Sequence, residues 1–185
     1  MLKKMRGFTL IELLIVVAII GILAALLIPN ALEAIQKAKQ KSAMKEIMTV
    51  NTAAVDYITD HGDWTGITQA GPLTQNNGFI QAVATFYVKI IPVNDPWNFP
   101  YQAYVGAGVS TLIPNATAVG VDDFAMASFG RNKVTGPLYS GSTYTTTDPE
   151  AGKYTVGKMS DFDNDLVCWN GSWVCGPKTY VGSAS

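Results

Sequence analysis

The sequence is poor in charge and in reactive side chains. Only 15% of its 185 residues are charged, with 13 Lys and Arg against 14 Asp and Glu, and it has one His and two Cys. The balanced charge excludes a nucleic-acid-binding protein built on basic residues, and a hydrophobic content of 48% excludes a disordered chain. Two Cys are too few for the framework of a disulfide-dense mini-protein.

Sequence motifs of the common enzyme classes are also absent. The chain has no Gly-x-Ser-x-Gly, His-Glu-x-x-His or phosphate-loop motif, and Gly106-Ala107-Gly108 lacks the third glycine of a dinucleotide-binding fingerprint. His61 stands in an Asp-His-Gly-Asp segment that is typical of a helix end, where surface capping is favoured over catalysis or metal binding. We therefore predict that the protein is not an enzyme.

The apolar residues are concentrated near the N-terminus. From Phe8 to Ile28, 18 of 21 residues are apolar, against 53 of the 126 residues from Asp60 onward. A helix over the first of these segments would be about 30 Å long, which is enough to span a bilayer. The run exceeds the ~7 to 15 residues of a secretory h-region and continues to Pro29 before a polar helical pattern begins, so we predict a membrane-spanning segment that is retained.

Glu12 is the one charge inside this apolar run. A carboxylate at such a position costs on the order of 2.5 to 3.5 kcal/mol on insertion scales, and it normally marks a partner or a pathway. The nearby cations are Lys3, Lys4 and Arg6 in the basic leader, unless cleavage creates a new α-ammonium at Phe8. The alternative is a protonated Glu12 without a role.

An amphipathic helix is predicted to follow the apolar run. Apolar residues recur there at spacings of three and four: Ile28, Leu32, Ile35, Ala43, Ile47, Val50, Ala54 and Ile58. Glu33 and Lys37 form a favourable i,i+4 pair, and Gly62 is a natural C-cap. Pro29 removes a backbone hydrogen bond, so we expect a kink or a melted segment there, with Gly21 as a second weak point.

Beyond Asp60 the composition predicts short strands and structured loops. This part holds 15 of the 17 Gly, 8 of the 9 Pro and 17 of the 19 aromatic residues. Strands are expected in Tyr101–Val105, Phe124–Phe129 and Leu166–Val174, and Gly78–Ile91 reads as either a helix or a strand. The sequence therefore predicts an α+β fold, in which a long N-terminal helix packs on a small antiparallel sheet.

One N-terminal motif resembles a known family. The segment Gly7-Phe8-Thr9-Leu10-Ile11-Glu12, with its basic leader, apolar continuation and Pro29-Asn30, is similar to the class III signal of type IV pilins and type II secretion pseudopilins. The resemblance implies a pilin-like fold, cleavage between Gly7 and Phe8 by a prepilin peptidase, and N-methylation of Phe8. It also implies loosening of the helix between Gly21 and Pro29 on entry into a filament. Once Phe8 is the first residue, Glu12 could pair with the Phe8 ammonium of an adjacent subunit.

The expected organisation has four parts. They are a cleaved leader (residues 1–7), a transmembrane and filament-core helix (8–28), an amphipathic stalk helix (29–59) and a globular head (60–185). The resemblance places the leader in the cytoplasm and the head in the periplasm of a bacterium, anchored in the inner membrane before polymerisation. The implied partners are other copies of the chain, prepilin peptidase, an inner-membrane assembly platform and minor pilins or pseudopilins, with no nucleic acid as the primary ligand.

A second element indicates the subfamily. Asp95-Pro96-Trp97, followed by Asn98-Phe99-Pro100-Tyr101, resembles the Asp-Pro-Trp-Gly-x-Pro-Tyr element of the major pseudopilin of type II secretion, with Asn98 where Gly is usual. The resemblance implies a structural subunit of a filament that moves folded proteins across the outer membrane. The alternatives are a type IV pilin that forms a surface pilus for adhesion, twitching or DNA uptake, and a membrane-anchored periplasmic binding domain.

The same subfamily binds calcium in its C-terminal loop. By that resemblance the candidate ligands here are Ser128, Asn132, Asp163 and Asp165, although the match is imperfect and the segment between its two halves, Val134 to Phe162, is long. Calcium requires six to eight oxygen ligands. The alternative is a solvated acidic turn.

Cys168 and Cys175 enclose six residues and are candidates for a disulfide. A two-residue turn at Gly171-Ser172 would place them directly across a hairpin, whereas a turn at Asn170-Gly171 would misalign them. Both cysteines follow the predicted membrane span, which fits an oxidising compartment. A closed C-terminal loop of this kind resembles type IV pilins, and a pair of free buried thiols is the alternative.

Overall fold

The computed structural model describes residues 7–84, 86–114, 116, 118–134, 145, 147–148 and 150–178. Lys3, Lys4 and Arg6 of the predicted leader lie outside the described residues. The chain divides into two compact units, the first ending at Lys37 and the second beginning at Ala38. All strands found among the described residues belong to the second unit.

Helix α1 runs from Leu10 to His61 as one helical element. Its predicted end is confirmed, because Gly62 adopts a left-handed φ of 89° and its amide donates to the Ile58 carbonyl at 2.7 Å. The predicted Glu33–Lys37 ion pair is also present, at 2.7 Å. Helical structure continues through Gly21 and Pro29. Melting between them inside a filament therefore stays a prediction.

The buried face of α1 is confined to its C-terminal half. Its buried residues are Gln40, Ala43, Ile47, Val50, Asn51, Ala53, Ala54 and Tyr57. The predicted apolar stripe is thus confirmed from Ala43 to Ala54, with Ile58 half-buried. Ile28, Leu32 and Ile35 belong to the same stripe but are exposed.

In the part of the chain that the structure describes, six strands form one sheet in the order β1-β2-β3-β5-β6-β4. They are β1 (Ala70–Pro72), β2 (Gln102–Val105), β3 (Phe124–Ser128), β4 (Lys153–Tyr154), β5 (Leu166–Trp169) and β6 (Ser172–Pro177). Two short helices complete the fold, α2 (Gly78–Val83) and α3 (Val109–Leu112). Gly78–Val83 is therefore helical, and the Asn77 side chain caps it by accepting from the Phe79 amide.

The predicted α+β fold is confirmed, but the sheet is mixed and not purely antiparallel. Strand β4 pairs with β6 in parallel, in the register Lys153 with Gly176 and Tyr154 with Pro177, whereas every other pair is antiparallel. The physical reason is the long connection between β3 and β5. This connection lets the chain add an edge strand beyond the β5–β6 hairpin before it returns to form β5.

The sheet has a core on each face. On one face, Ala103, Val105, Phe124, Met126 and Cys168 pack in the same cluster as the buried residues of α1. On the opposite face, residues of the sheet and of α3 form a smaller cluster, whose members are Val109, Leu112, Ile113, Ala125, Ala127, Val167, Val174 and Cys175. Alternation along β3 assigns successive side chains to the two clusters.

Candidate functional site

The Gly7–Phe8 junction lies just before α1. Residues 7–9 are exposed and have no regular secondary structure, and Phe8 is 76% exposed. Among the described residues, leaving aside Gly7 and its chain neighbours, no heavy atom lies within 4 Å of the position that a Cβ on Gly7 would take. The peptide bond at which the sequence predicts cleavage thus lies in an exposed, non-helical segment.

Thr9 and Glu12 form a capping box at the start of α1. The Glu12 carboxylate accepts hydrogen bonds from the Thr9 amide at 2.9 Å and from the Thr9 hydroxyl at 2.6 Å, while the Glu12 amide donates to Thr9 Oγ1 at 3.3 Å. Within one chain, the carboxylate is therefore held by its own helix start. The role of Thr9 was not predicted from the sequence, although the Thr-x-x-Glu spacing is a known signal of a helix N-terminus.

Phe8 and the N-terminal half of α1 present a continuous apolar surface. Its exposed large side chains are Phe8, Leu10, Ile11, Leu13, Leu14, Ile15, Val16, Val17, Ile19, Ile20, Ile22, Leu23, Leu26, Leu27, Ile28, Leu32 and Ile35. By length and composition this helix could cross a membrane. An apolar surface of this extent is unstable in water and requires lipid or other protein to cover it.

Asp95 organises the loop that contains the Asp-Pro-Trp element. Its buried carboxylate accepts from the amides of Trp97 at 3.0 Å and Phe99 at 2.9 Å, and from the Ser128 hydroxyl at 2.7 Å. At the end of the loop, the fully buried Tyr101 donates its hydroxyl to Glu46 of α1 at 2.8 Å. Burial and this hydrogen bond raise the pKa of Tyr101, so the hydroxyl remains a donor at any physiological pH.

Three of the four predicted calcium ligands are hydrogen-bonded to other groups of the chain. Ser128 donates its hydroxyl to Asp95, and Asn132 Oδ1 accepts from the Val134 amide at 3.1 Å. Asp163 accepts two hydrogen bonds from the Arg131 guanidinium, and Asp165 is buried. Among the described residues, no group of three or more His, Cys, Asp or Glu side chains is arranged to hold a metal ion. These residues therefore do not fit a calcium site.

Cys168 and Cys175 lie on opposite faces of the sheet, and both thiols are free and buried. The hairpin turns at Asn170 and Gly171, with φ values of 45° and 79°, so that Trp169 pairs with Ser172 and Cys168 with Trp173. An irregularity after Val167 then pairs Val167 with Cys175. The hairpin thus has the Asn170-Gly171 turn, which misaligns the two cysteines. The disulfide predicted from the sequence is not formed in this structure.

His61 lies at the end of α1, as predicted. Its ring stacks on Tyr57 with the ring centres 4.2 Å apart, and its Nδ1 lies 3.3 Å from the Tyr87 hydroxyl. Tyr87 donates to Asp60 at 2.9 Å, and partial burial together with this hydrogen bond raises the pKa of Tyr87 to about 12. The Tyr87 hydroxyl therefore stays protonated near neutral pH and remains a hydrogen-bond donor to Asp60.

Comparison with known proteins gives matches over the N-terminal region and into the head. A family profile for the prokaryotic N-terminal methylation motif matches residues 2–28. The type II secretion system core protein G of Vibrio cholerae is 34% identical over 121 residues, covering 58% of this chain and 77% of its own length. The core protein G of Pectobacterium carotovorum is 30% identical over 104 residues, covering 54% of this chain and 66% of its own length.

A pilin also matches, over a shorter region. The type IV major pilin protein PilA of Myxococcus xanthus is 49% identical over 55 residues, covering 30% of this chain and 25% of its own length. No solved structure matches the chain. None of the three relatives' names denotes an enzyme.

Proposed function

The chain belongs to the family of type IV pilins and type II secretion pseudopilins, and from that membership we propose that it is the major pseudopilin of a type II secretion system. In this role it polymerises into a periplasmic fibre that moves folded proteins across the outer membrane. The proposal rests above all on one observation, the stretch of exposed apolar side chains that directly follows the accessible Gly7–Phe8 junction.

Processing is the first step of the proposed mechanism. Prepilin peptidase cuts between Gly7 and Phe8, removes the basic leader, and leaves Phe8 with a free ammonium that is then N-methylated. The exposed, non-helical conformation of residues 7–9 supports this step. The apolar part of α1 holds the chain in the inner membrane, with the head in the periplasm.

Assembly is the second step. A carboxylate and an ammonium that both lie at low dielectric are each costly when unpaired, so docking that pairs Glu12 with the Phe8 ammonium of an adjacent subunit is favoured over other registers. Until a subunit docks, the amide and hydroxyl of Thr9 satisfy the Glu12 carboxylate. Neighbouring apolar helices then replace lipid around the exposed side chains. An inner-membrane assembly platform and minor pseudopilins act as partners in this step.

A surface type IV pilus is the second candidate function. It is favoured by the match to the Myxococcus pilin, which has the higher identity but extends over only 55 residues. The core protein G matches extend over more than 100 residues and so reach into the head. This greater extent, together with the Asp-Pro-Trp loop held by Asp95, supports the secretion role as the first choice.

The test is a deletion strain complemented with the wild-type chain, examined by electron microscopy of sheared filaments and by assay of secreted protein in the medium. We expect the deletion to abolish secretion of at least one folded protein and the wild-type chain to restore it, with no long fibres at native expression. Long fibres on wild-type cells, with secretion unaffected by the deletion, would establish the pilus instead. The matched control is a Gly7→Val variant, which keeps the head but blocks processing and should restore neither secretion nor fibres.

A further inference from the structure

An ion pair occupies the part of the head in which the family resemblance implies calcium. Arg131, in the turn after β3, donates through Nε to Asp163 Oδ1 at 2.7 Å and through Nη2 to Oδ2 at 2.9 Å. Asp163 ends the 3₁₀ turn Met159–Asp163 that precedes β5. This two-point geometry is the strong form of an arginine–carboxylate pair, and it joins two segments that lie 32 residues apart in sequence.

The backbone on either side of this ion pair is also in direct contact. The Arg131 amide donates to the Phe162 carbonyl at 2.9 Å. Gly130 has a φ of 64°, and a Cβ at this position would lie 2.8 Å from the Phe162 carbonyl oxygen and 2.7 Å from that of Asn164. The turn therefore packs directly on these two carbonyl oxygens, and only glycine allows so close an approach.

The other acidic group of the 3₁₀ turn is also satisfied within the chain. Asp161 Oδ2 accepts from the amides of Gly157 and Lys158, each at 2.8 Å, and these bonds lower the pKa of Asp161. The hydroxyl of Ser128, the first of the predicted calcium ligands, donates a hydrogen bond to Asp95. A calcium ion would have to displace a guanidinium and several internal hydrogen bonds to obtain six to eight oxygen ligands.

We propose that Arg131 takes the place of a divalent cation in this head. Its guanidinium holds Asp163 and closes the turn at residues 129–133 onto the segment 158–165, so the head reaches its folded state and its full stability without calcium. This inference concerns the folding of the chain alone and holds whether the filament serves secretion or forms a surface pilus.

The test is thermal unfolding of the purified full-length chain in detergent, followed by tryptophan fluorescence. All four Trp lie beyond Asp60, so this signal reports on the head. We expect the Tm in about 10 mM calcium to agree within about 1 °C with the Tm in EGTA, with magnesium as the ionic-strength control. A calcium site with a Kd of about 10⁻⁴ M would instead raise the Tm by roughly 5 °C or more and would overturn the proposal.

Variants test the part that Arg131 plays. Arg131→Ala and Asp163→Asn should each lower the Tm by about 2 to 5 °C, and the double variant should lower it no further than the larger single effect. Arg131→Lys keeps the charge without the two-point geometry and should lie between wild type and Arg131→Ala. Lys133→Ala removes a neighbouring positive charge as the matched control and should leave the Tm within about 1 °C of wild type. Additive losses in the double variant, or an effect of Lys133→Ala as large as that of Arg131→Ala, would overturn the proposal.

Discussion

The amide of Gly171, at the tip of the β5–β6 hairpin, donates a hydrogen bond of 3.2 Å to Oδ1 of Asn51 in α1. Asn51 is fully buried, and its Nδ2 donates to the Ile47 carbonyl at 3.1 Å. The side chain thus satisfies polar groups of a helix and a turn that are 120 residues apart in sequence. Because a buried polar group is costly when unpaired, this contact favours one position of the hairpin on the helix.

Asn51→Ala should lower the free energy of unfolding by about 2 kcal/mol, because it removes both hydrogen bonds and leaves a small cavity. Urea titration of the full-length chain in detergent, followed by tryptophan fluorescence, measures this change. The matched control is Thr52→Ala, at an exposed neighbour whose hydroxyl donates only to the carbonyl one turn back. That variant should change the free energy by less than about 0.5 kcal/mol. Equal effects of the two variants would mean that the Asn51 contact does not stabilise the head.

Asn98 stands where the related pseudopilin element has glycine, and the structure explains why both residues fit. Its φ is 61°, in the left-handed region that Gly and Asn adopt most readily, and its amide donates to the Asp95 carbonyl at 2.8 Å. Asn98→Gly should leave the Tm nearly unchanged or raise it. Asn98→Val should lower the free energy of unfolding by about 1 to 2 kcal/mol, because a β-branched residue is strained at this φ. A Val variant as stable as the Gly variant would show that the loop can adopt another conformation at low cost.

The two cysteines should behave as protected free thiols. Burial raises the pKa of Cys168 to about 12, and burial together with the nearby Asp165 raises the pKa of Cys175 as well. We expect iodoacetamide at pH 8 to label neither thiol in the folded chain, and to label both in denaturant without a reductant. If the denatured, unreduced chain carried no reactive thiol, a disulfide would be present and the hairpin register would have to differ.

The same burial predicts alkaline destabilisation. In the folded state the Cys168 thiol keeps its proton up to about pH 12, whereas the unfolded thiol loses it near its ordinary pKa of 9.0. The stability is therefore complete below pH 9 and falls as the pH rises above that value, by at most about 1.4 kcal/mol per pH unit for each thiol. Urea titrations between pH 8 and pH 10.5 measure the slope, and a Cys168→Ala variant should show a shallower one. An identical slope in wild type and variant would contradict the burial of this thiol.

Local patterns predicted the elements better than their pairing. The three-and-four spacing from Ala43 to Ala54 and the glycine at position 62 were sufficient to predict the buried face and the end of α1, because each depends on a few neighbouring residues. The hairpin register was not predictable, since a turn at Asn170-Gly171 and a turn at Gly171-Ser172 are both compatible with the sequence of this segment. The Asn170-Gly171 turn pairs Cys168 with Trp173 instead of Cys175, and the irregularity between Val167 and Cys168 then shifts the pairing by one residue. This one-residue shift places the two cysteines on opposite faces of the sheet.

In the candidate site, too, residues of a local motif could be predicted and contacts between distant segments could not. Gly7, Phe8 and Glu12 belong to a contiguous motif and could be predicted from the sequence, and Thr9 could have been found from the Thr-x-x-Glu spacing. The partners of Asp163 and Ser128 depend on how distant loops meet. Arg131 reaches Asp163 only because β3 and β5 are neighbours in the sheet, so the bond between their flanking turns was not predictable from spacing.

Glu12 offers the sharpest separation of two roles, one in capping its own helix and one in pairing with a neighbouring subunit. Glu12→Gln retains a side-chain oxygen that can accept from Thr9, but it removes the charge that the Phe8 ammonium requires. Glu12→Ala removes both. Glu33→Gln is the matched control, because it removes one carboxylate from an ion pair with Lys37 that is partly exposed on the same helix.

We expect Glu12→Gln to fail in filament assembly as completely as Glu12→Ala, because the lost ion pair at low dielectric is worth more than the retained cap. Glu33→Gln should assemble as wild type, because an exposed i,i+4 pair contributes only about 0.3 to 0.5 kcal/mol. The measurement is the yield of sheared filaments relative to the membrane-bound subunit at equal expression. Full assembly by Glu12→Gln together with failure of Glu12→Ala would assign Glu12 to the capping box alone. Normal assembly by Glu12→Ala would remove the residue from the mechanism, since neither the cap nor the ion pair could then determine the register of the subunits.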